Sequence, residues 1–163
     1  MTTALTPTAL KTGHVGLNVT DLTRSKDFYQ RVLGLELMVD GRDGDREWAF
    51  LGRDGTLLIT LWRQSEGRFA TALPGLHHLA FQVDTPEEVV AVQRILRELS
   101  ADFQVDFQVD FQYDGVVAHR EGGDSGGVFF TDPDGIRLEV YTPSGLAGKD
   151  AAPVGEAPTC GFF

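Results

Sequence analysis

The sequence has a single cysteine, Cys160, and so has no second cysteine with which to form an intramolecular disulfide. This is typical of proteins in a reducing compartment and predicts a cytoplasmic location. No apolar run approaches the ~20 residues of a membrane-spanning helix, so we expect no membrane association. The opening residues, MTTALTPTALKTG, lack the basic and apolar regions of a secretory signal and are interpreted as a short polar leader.

Positive charge is also scarce, because 14 Lys and Arg residues stand against 24 Asp and Glu residues, for a formal net charge of −10. Binding to nucleic acid requires a basic face, so we expect no nucleic-acid partner. Hydrophobic residues nevertheless make up 42% of the chain and aromatic residues 10%. This composition supports a folded core, and 163 residues suffice for one domain or for two small modules that share a core.

Two of the four histidines open strings that match position by position. His14 begins HVGLNV and His78 begins HLAFQV, in both cases as His, apolar, small, apolar, polar, Val. The two strings stand 64 positions apart, and each precedes a helical pattern. The sequence therefore indicates an internal repeat, in which the second half of the chain is built like the first.

The first predicted helix has two recognisable ends, and the second has a recognisable start. In the first, Asp21 or Thr23 is the expected N-cap and Gly34 the C-terminal stop, with apolar side chains four positions apart between them. In the second, Thr85-Pro86-Glu87-Glu88 supplies an N-cap, a proline at the first helical position and the glutamate of a capping box. Apolar residues at 89, 92, 96 and 99 then form one helical stripe.

Strands are expected around the helices in the order βαβββ, twice, with turn-rich segments such as GRDGD at 41–45 between them. We therefore predict an α+β fold of two βαβββ modules that form a curved, half-barrel mixed sheet with a metal-centred cavity. The expected strands are 14–20, 35–39, 47–52, 56–62, 78–83, 103–112, 115–119, 127–131 and 136–142. The expected parts of the chain are a leader at 1–13, a first module at 14–75, a second module at 76–143 and a loosely ordered tail at 144–163.

The segment FQVDFQVDFQ at 103–112 repeats a four-residue unit. Phenylalanine and valine alternate with glutamine and aspartate throughout, which predicts a strand with one apolar and one polar face. One interpretation is a tandem duplication that lengthened a strand or hairpin. The alternative is an added wall over the pocket or at a subunit contact. Pairing register is weakly specified in such a repeat, because a slip of four residues keeps the same face buried.

His14, His78 and Glu139 are the predicted metal ligands. Glu139 lies in the last predicted strand, and the two histidines occupy equivalent places in the repeat, so the three side chains are expected to converge in the cavity. Two imidazoles and one carboxylate form a facial triad that leaves one side of a divalent metal open. His77 is expected to point to the opposite strand face and is interpreted as structural. The strand at 57–62, LLITLW, offers no fourth ligand, which favours a catalytic site over a closed structural one.

Three segments, HVGLNVTDLTRSKDFYQRVLGLEL, GLHHLAFQV and FFTDPDGIRLEVYTP, resemble the vicinal oxygen chelate superfamily, which includes glyoxalase I, bleomycin-resistance proteins, fosfomycin-resistance transferases and extradiol dioxygenases. The resemblance covers about residues 14–143. It implies paired βαβββ modules, a divalent metal and a small substrate that chelates this metal through adjacent oxygens. His14, His78 and Glu139 match the ligand positions of the family. A homodimer is expected by the same resemblance, since such modules often pair across subunits.

The first functional hypothesis is extradiol-type ring cleavage of a small aromatic diol. Fe(II) is the expected metal and Mn(II) the next, because the open side of the triad can take both diol oxygens and place dioxygen beside them. His119 is the candidate acid or base. Phe129 stands where the signature of extradiol enzymes has a tyrosine, so one hydroxyl donor to the substrate is missing. Phe129, Trp48 and Trp62 are the candidate pocket residues, since indoles can stack on an aromatic ligand.

Two other functions stay open. A thiol transferase that opens an epoxide antibiotic is favoured by REGGDSGGVFFTDPDGIRLE, which resembles the potassium-binding loop and final strand of fosfomycin-resistance transferases. Gly16 stands where those enzymes have a threonine, and Arg120 and Arg137 are the main candidates for binding a phosphonate. The third hypothesis is a metal-free protein that binds or sequesters a small molecule, like the bleomycin-resistance proteins. Metal content distinguishes it from the two enzymes.

Overall fold

The computed structural model describes residues 11–102, 104–119 and 123–148. Within them the chain forms two helices and eight strands, and the order of the elements is βαβββ, twice. The elements are β1 Val15–Val19, α1 Leu22–Leu33, β2 Glu36–Asp43, β3 Arg46–Arg53, β4 Thr56–Arg63, β5 Leu79–Gln82, α2 Pro86–Ala101, β6 Val117–Ala118, β7 Gly126–Thr131 and β8 Arg137–Thr142. Cys160 lies outside the described residues, as do most of the predicted leader and tail.

The strands form two four-stranded sheets, with the orders β1-β4-β3-β2 and β5-β8-β7-β6. The first and last strands of each module pair in parallel, β1 with β4 and β5 with β8, and the other neighbours pair antiparallel. Neither sheet closes into a barrel. The predicted α+β fold of two βαβββ modules is therefore confirmed.

The first helix begins and ends as the sequence predicts, and the second begins as it predicts. The Asp21 side chain accepts a hydrogen bond from the backbone N–H of Arg24 at 2.9 Å, and Gly34 ends α1 with a φ of 62°, in the left-handed region. In α2, Thr85 and Glu88 cap each other's backbone N–H groups as a capping box. Within the described ranges, neither helix is long and apolar enough to cross a membrane.

The predicted turn at 41–45 is wrong in its extent. β2 runs to Asp43 and β3 begins at Arg46, so only two residues form the turn. Gly44 takes a φ of 62°, which glycine adopts at little cost, and a two-residue turn therefore suffices.

The predicted strand at 103–112 is also wrong, although its alternation of faces is real. Among its described residues only Phe111 is paired, in an isolated antiparallel bridge with Phe130 of β7. From position 104 on, the phenylalanine and valine side chains are partly buried, whereas the glutamines and aspartates are exposed. Phe107 meets the Phe28 ring of α1 edge-on, with centroids 5.3 Å apart. The repeat therefore covers the core beside α1 instead of extending a sheet.

One hydrophobic core lies between the two sheets and is shared by both modules. Phe28 of α1 packs against Phe130 of β7 with ring centroids 6.3 Å apart, so the first helix contacts the second sheet. Leu61 and Leu138 are fully buried in this core, and strand alternation turns Trp62 and Glu139 the other way. Each sheet thus has an outer face that points away from the shared core.

The DPDG turn before β8 joins the second module to the first. Tyr29 of α1 donates its hydroxyl to Asp132 at 3.0 Å. Asp134 accepts hydrogen bonds from the backbone N–H of Thr20 at 3.0 Å and from the Arg24 guanidinium at 2.9 Å. Both aspartates and Tyr29 are buried, so these contacts are stronger than an ion pair on the surface.

Asp132 makes the stability of this junction depend on pH. Burial raises the pKa of Asp132 from 3.8 to about 6, although backbone N–H groups and the Tyr29 hydroxyl favour its charged form. The pKa of Asp132 is higher in the folded protein than in the unfolded chain, so protonation of Asp132 stabilises the fold. This stabilisation is fully present below the unfolded pKa and is lost as pH rises through the folded pKa. We expect the wild type to lose stability relative to Asp132→Asn as pH rises. The difference between their unfolding free energies should shift by up to about 3 kcal/mol between about pH 4 and about pH 7. Urea unfolding of both proteins across this range measures the difference, and a flat or rising curve contradicts the expectation.

Candidate metal centre

Glu139 of β8 lies on the outer face of the second sheet and is 1% exposed. Its Oε1 lies 2.7 Å from Nε2 of His119. Its Oε2 has no hydrogen-bond partner among the described residues and lies 3.6 Å from Nε2 of His78. A buried carboxylate oxygen without a partner is costly, so it indicates a position where a cationic ligand belongs.

His78 directly precedes β5 and reaches Glu139 because β5 and β8 are parallel, with Ala80 opposite Glu139. Its Nδ1 lies 2.9 Å from Nδ1 of His77, while its Nε2 faces the carboxylate. Burial of the ring lowers the pKa of His78, against the opposite and smaller effect of Glu139. The neutral imidazole that results is the form that binds a metal.

The structure brings two further predicted residues, His119 and Phe129, to the same cluster. Phe129 is opposite Glu139 in the pairing of β7 with β8, and the rings of His119 and Phe129 lie 5.9 Å apart. Sequence reasoning missed two residues that contact His119. The Tyr141 ring centroid lies 6.0 Å from that of His119, and Ser125 Oγ lies 2.9 Å from His119 Nδ1. Strand alternation from Glu139 could have indicated Tyr141. Ser125 lies in a glycine-rich loop that carries no periodic signal.

His14 is not part of this cluster. It is exposed and stands just before β1 of the first sheet. Within the part of the chain that the structure describes, no three His, Cys, Asp or Glu side chains form a group that could hold a metal. A single chain therefore does not bring the three predicted ligands together.

Trp48 and Trp62 lie on the outer face of the first sheet, opposite each other in the pairing of β3 with β4. Their ring centroids are 6.5 Å apart, and Phe50 lies 5.0 Å from Trp48. We call these three half-buried side chains the aromatic patch. Strand alternation puts His14 on the same face. The predicted pocket residues are thus divided between the outer faces of the two sheets.

Two cavities of the described chain lie away from the Glu139 cluster. An open cavity of about 780 Å³ runs along the segment 63–68 and the DPDG turn. A second cavity, of about 330 Å³ and mostly apolar, lies between the end of α1 and α2. Neither is lined by a predicted metal ligand. Of the two arginines considered for phosphonate binding, Arg137 is half-buried in β8, and Arg120 lies outside the described residues.

The donor set of Glu139 and His78 fits a divalent metal. A carboxylate and an imidazole are ligands in many zinc, iron and other transition-metal sites. The Oε2 of Glu139 and the Nε2 of His78 face each other at 3.6 Å, and a cation would satisfy both. Two protein ligands are fewer than such a metal usually takes, so the others must come from outside this pair.

Comparison with known proteins gives a consistent result. A family model described as the Glyoxalase/Bleomycin resistance protein/Dioxygenase superfamily matches residues 11–140. A glyoxylase/bleomycin resistance protein/dioxygenase domain from Frankia sp. EAN1pec is similar in structure, with a TM-score of 0.68 and 25% identity, over 83% of this chain and 98% of that one. The glyoxalase family protein from Enterococcus faecalis has a TM-score of 0.60 and 27% identity, over 80% of this chain and 96% of that one. A point mutant of the fosfomycin resistance protein FosX from Listeria monocytogenes, complexed with Mn(II) and 1S,2S-dihydroxypropylphosphonic acid, shares the fold. Its TM-score is 0.58 and its identity 21%, over 83% of this chain and 92% of that one.

Replacement of Glu139 by glutamine tests whether this buried carboxylate serves ligand binding at the expense of stability. We expect metal-free Glu139→Gln to have an unfolding free energy about 1–2 kcal/mol higher than the wild type, because a neutral amide costs less to bury than a charge with an unpartnered oxygen. The matched control is Glu47→Gln, a partly exposed carboxylate with ion pairs to Arg42 and Arg63 at 3.5 and 3.7 Å. It should change stability by less than about 0.5 kcal/mol. Chemical unfolding in the presence of a chelator measures all three proteins, and a clear destabilisation by Glu139→Gln contradicts the expectation.

Proposed function

Because the chain belongs to the glyoxalase/bleomycin resistance protein/dioxygenase superfamily, we propose that it is a metal-dependent enzyme whose small substrate chelates the metal through two adjacent oxygens. The observation that carries this proposal is the buried Oε2 of Glu139, which lacks a partner among the described residues and faces His78. Burial of such an oxygen costs stability, and a cost of this kind is typical of functional sites.

The third ligand, His14, would come from a second copy of the chain in a homodimer. The outer face of each sheet points away from the shared core, so each outer face can meet a partner. β1 and β5 are the end strands of their sheets. In the proposed dimer the face that carries His14 and the aromatic patch covers the Glu139 face of the other copy. A two-fold axis repeats this contact in reverse and makes two equal sites.

For the reaction, we propose extradiol-type cleavage of a small aromatic diol, with Fe(II) as the expected metal and Mn(II) as the next. When bound, the metal supplies an electrophilic centre with an open side for the diol oxygens and dioxygen. The aromatic patch would give the substrate ring an apolar wall and exclude water from it, whereas Phe129 is fully buried beside Glu139 and would pack behind the site. A reducing cytoplasm, which the single cysteine predicts, would keep iron in the ferrous state.

His119, the predicted acid or base, has both ring nitrogens close to protein groups. Its Nε2 contacts Glu139 at 2.7 Å, and its Nδ1 contacts Ser125 at 2.9 Å. These contacts favour a role in holding the ligand carboxylate over a direct exchange of protons with the substrate.

A second candidate is addition of a nucleophile to an epoxide. Its support is the shared fold with FosX, which is complexed with Mn(II) and a dihydroxypropylphosphonic acid. A phosphonate requires cationic partners. Among the described residues, Arg137 is a cation near the site, because its charge lowers the pKa of His78. The walls of aromatic side chains suit a flat apolar ring better than a doubly charged phosphonate, so we rank this candidate second.

Metal content is the first test of the proposed function. Protein purified anaerobically without a histidine tag should hold about one divalent metal per chain, and iron would support oxygen uptake in a screen of catechols. His78→Ala should lose most of the metal while it stays folded, because one of the three ligands is gone. Glu47→Gln is the control and should keep its metal, since Glu47 forms ion pairs with Arg42 and Arg63 and contacts none of the proposed ligands. Bound manganese would favour addition to an epoxide over ring cleavage. If the wild type takes up no metal, both proposed enzyme activities are wrong and a binding protein is favoured.

Mixing of two variants tests the shared site. His14→Ala and His78→Ala should each bind little metal when alone. After the two are unfolded and refolded together at equal concentration, about a quarter of the sites should regain all three ligands, because half of the dimers are mixed and each contains one intact site. Metal analysis of the mixture, with each variant refolded alone as control, measures this recovery. If no metal is recovered although mixed dimers form, the proposed division of the site between two copies is wrong.

A further inference from the structure

Ser125, His119 and Glu139 form a buried chain of polar contacts. Ser125 Oγ lies 2.9 Å from His119 Nδ1, and His119 Nε2 lies 2.7 Å from Glu139 Oε1. The three residues are 9%, 8% and 1% exposed, so bulk water competes little for these contacts. In a chain of this kind the direction of one hydrogen bond decides the direction of the next.

The chemistry of the three groups decides where the protons lie. An ionised carboxylate can only accept hydrogen bonds, so the Nε2 of His119 must donate to Glu139. A neutral imidazole protonated at Nε2 has its lone pair at Nδ1, which then accepts the hydroxyl proton of Ser125. We propose that Ser125, by donating to Nδ1, fixes the orientation of the His119 ring, and that His119 in turn holds the Glu139 carboxylate so that Oε2 faces His78. Ser125 and His119 are thus positioning residues for the ligand carboxylate.

The backbone brings Ser125 and His119 together without help from their side chains. The N–H of His119 donates to the Ser125 carbonyl at 2.9 Å, next to the paired residues Ala118 and Gly126. Glycine is required at 126, because a Cβ there would lie 2.4 Å from the backbone oxygen of Val117. This close approach of the two strands places the serine hydroxyl within reach of the imidazole.

The segment 145–147, which follows β8, is hydrogen-bonded to Asp124, the residue before Ser125. The N–H of Leu146 donates to the carbonyl of Asp124 at 2.9 Å, and the Leu146 side chain is 1% exposed. Hydrogen bonds from the backbone N–H groups of Gly145 and Ala147 lower the pKa of the Asp124 carboxyl. Ser125 is therefore attached to a docked segment and does not depend on the site for its position.

The role of this chain rests on the proposed function, because its effect is to aim a carboxylate that binds metal. While Oε1 is bonded to His119, the carboxylate cannot rotate freely, and Oε2 is kept for the metal. Loss of groups that orient metal ligands typically lowers metal affinity ~10–100-fold. The hydrogen bonds themselves, however, exist with or without metal and can be observed separately.

The first measurement is the tautomer of His119 in the metal-free full-length protein, from long-range ¹⁵N–¹H NMR correlations of the imidazole. We expect a neutral ring protonated at Nε2, with this proton shielded from exchange. In Ser125→Ala the Nε2–H form should persist, because Glu139 still accepts from Nε2, but this proton should exchange faster with solvent, because the ring is no longer held at Nδ1. Ser100→Ala is the matched control, since the Ser100 hydroxyl bonds to the Leu96 carbonyl on α2. A wild-type ring protonated at Nδ1, alone or together with Nε2, overturns the inference.

The second measurement is the affinity for Mn(II) alone, by titration of the metal-free variants. Ser125→Ala should weaken binding about 10-fold and His119→Leu up to about 100-fold, because each removes one link of the chain. His119→Gln should recover most of the affinity, since its amide N–H can donate to Glu139, and Ser125→Thr should recover it through its hydroxyl. A general loss of packing would not follow this pattern, because glutamine and leucine disturb the site to a similar extent.

The two measurements separate the inference from the proposed function. If the wild type binds Mn(II) while His119→Leu and Ser125→Ala bind it equally well, the positioning role is wrong and the metal site stands. If the wild type shows the expected tautomer but takes up no metal, the hydrogen-bond chain is supported and the proposed enzyme is contradicted.

Discussion

The hydrogen bonds from Thr20, Arg24 and Tyr29 to the DPDG turn hold the two modules against each other at a buried point. Their partners are two carboxylates, and one of them, Asp132, is buried enough that its pKa is raised to about 6. A contact of this kind tolerates little displacement, because any shift would leave a buried charge or hydroxyl without its partner. Since β8 begins two residues after the last residue of the turn, the same contact sets where Glu139 stands relative to the first module.

The shared core follows from this junction. With the turn held by α1, the two helices pack against each other and against the apolar faces of the sheets, and the alternating phenylalanines and valines of the FQVD repeat cover the core beside Phe28. The outer faces are left for ligands, and they differ in character. One carries His14 and the aromatic patch, whereas the other carries a buried carboxylate with imidazoles on both sides. Neither face alone offers the three predicted ligands, and this is the physical basis for our proposal of a site shared by two copies.

Local features were the most predictable. The caps at Asp21, Gly34 and Thr85 depend on hydrogen bonds within a few residues, so the letters of the sequence suffice to place them. The FQVD repeat shows the limit of such reasoning, because alternation correctly predicts which side chains are buried but not what they are buried against. A strand also needs a free neighbour over its whole length, and the repeat finds one only at Phe111. Ser125 could not be predicted at all, since its contact with His119 depends on the close approach of β6 and β7 across a loop.

The sequence by itself determined the two βαβββ modules, both ends of α1 and the start of α2, and it supplied the metal ligands that we propose. These properties depend on periodicity, on capping and on ligand chemistry, all of which are local. Only the tertiary structure decided that Glu139 meets His78 and His119 while His14 lies on another face. The reason is that the position of one module relative to the other depends on a few buried contacts between residues more than a hundred positions apart, such as Thr20 with Asp134 and Tyr29 with Asp132. No pattern along the chain records such contacts, because each partner in isolation is an ordinary residue of a helix start or a turn.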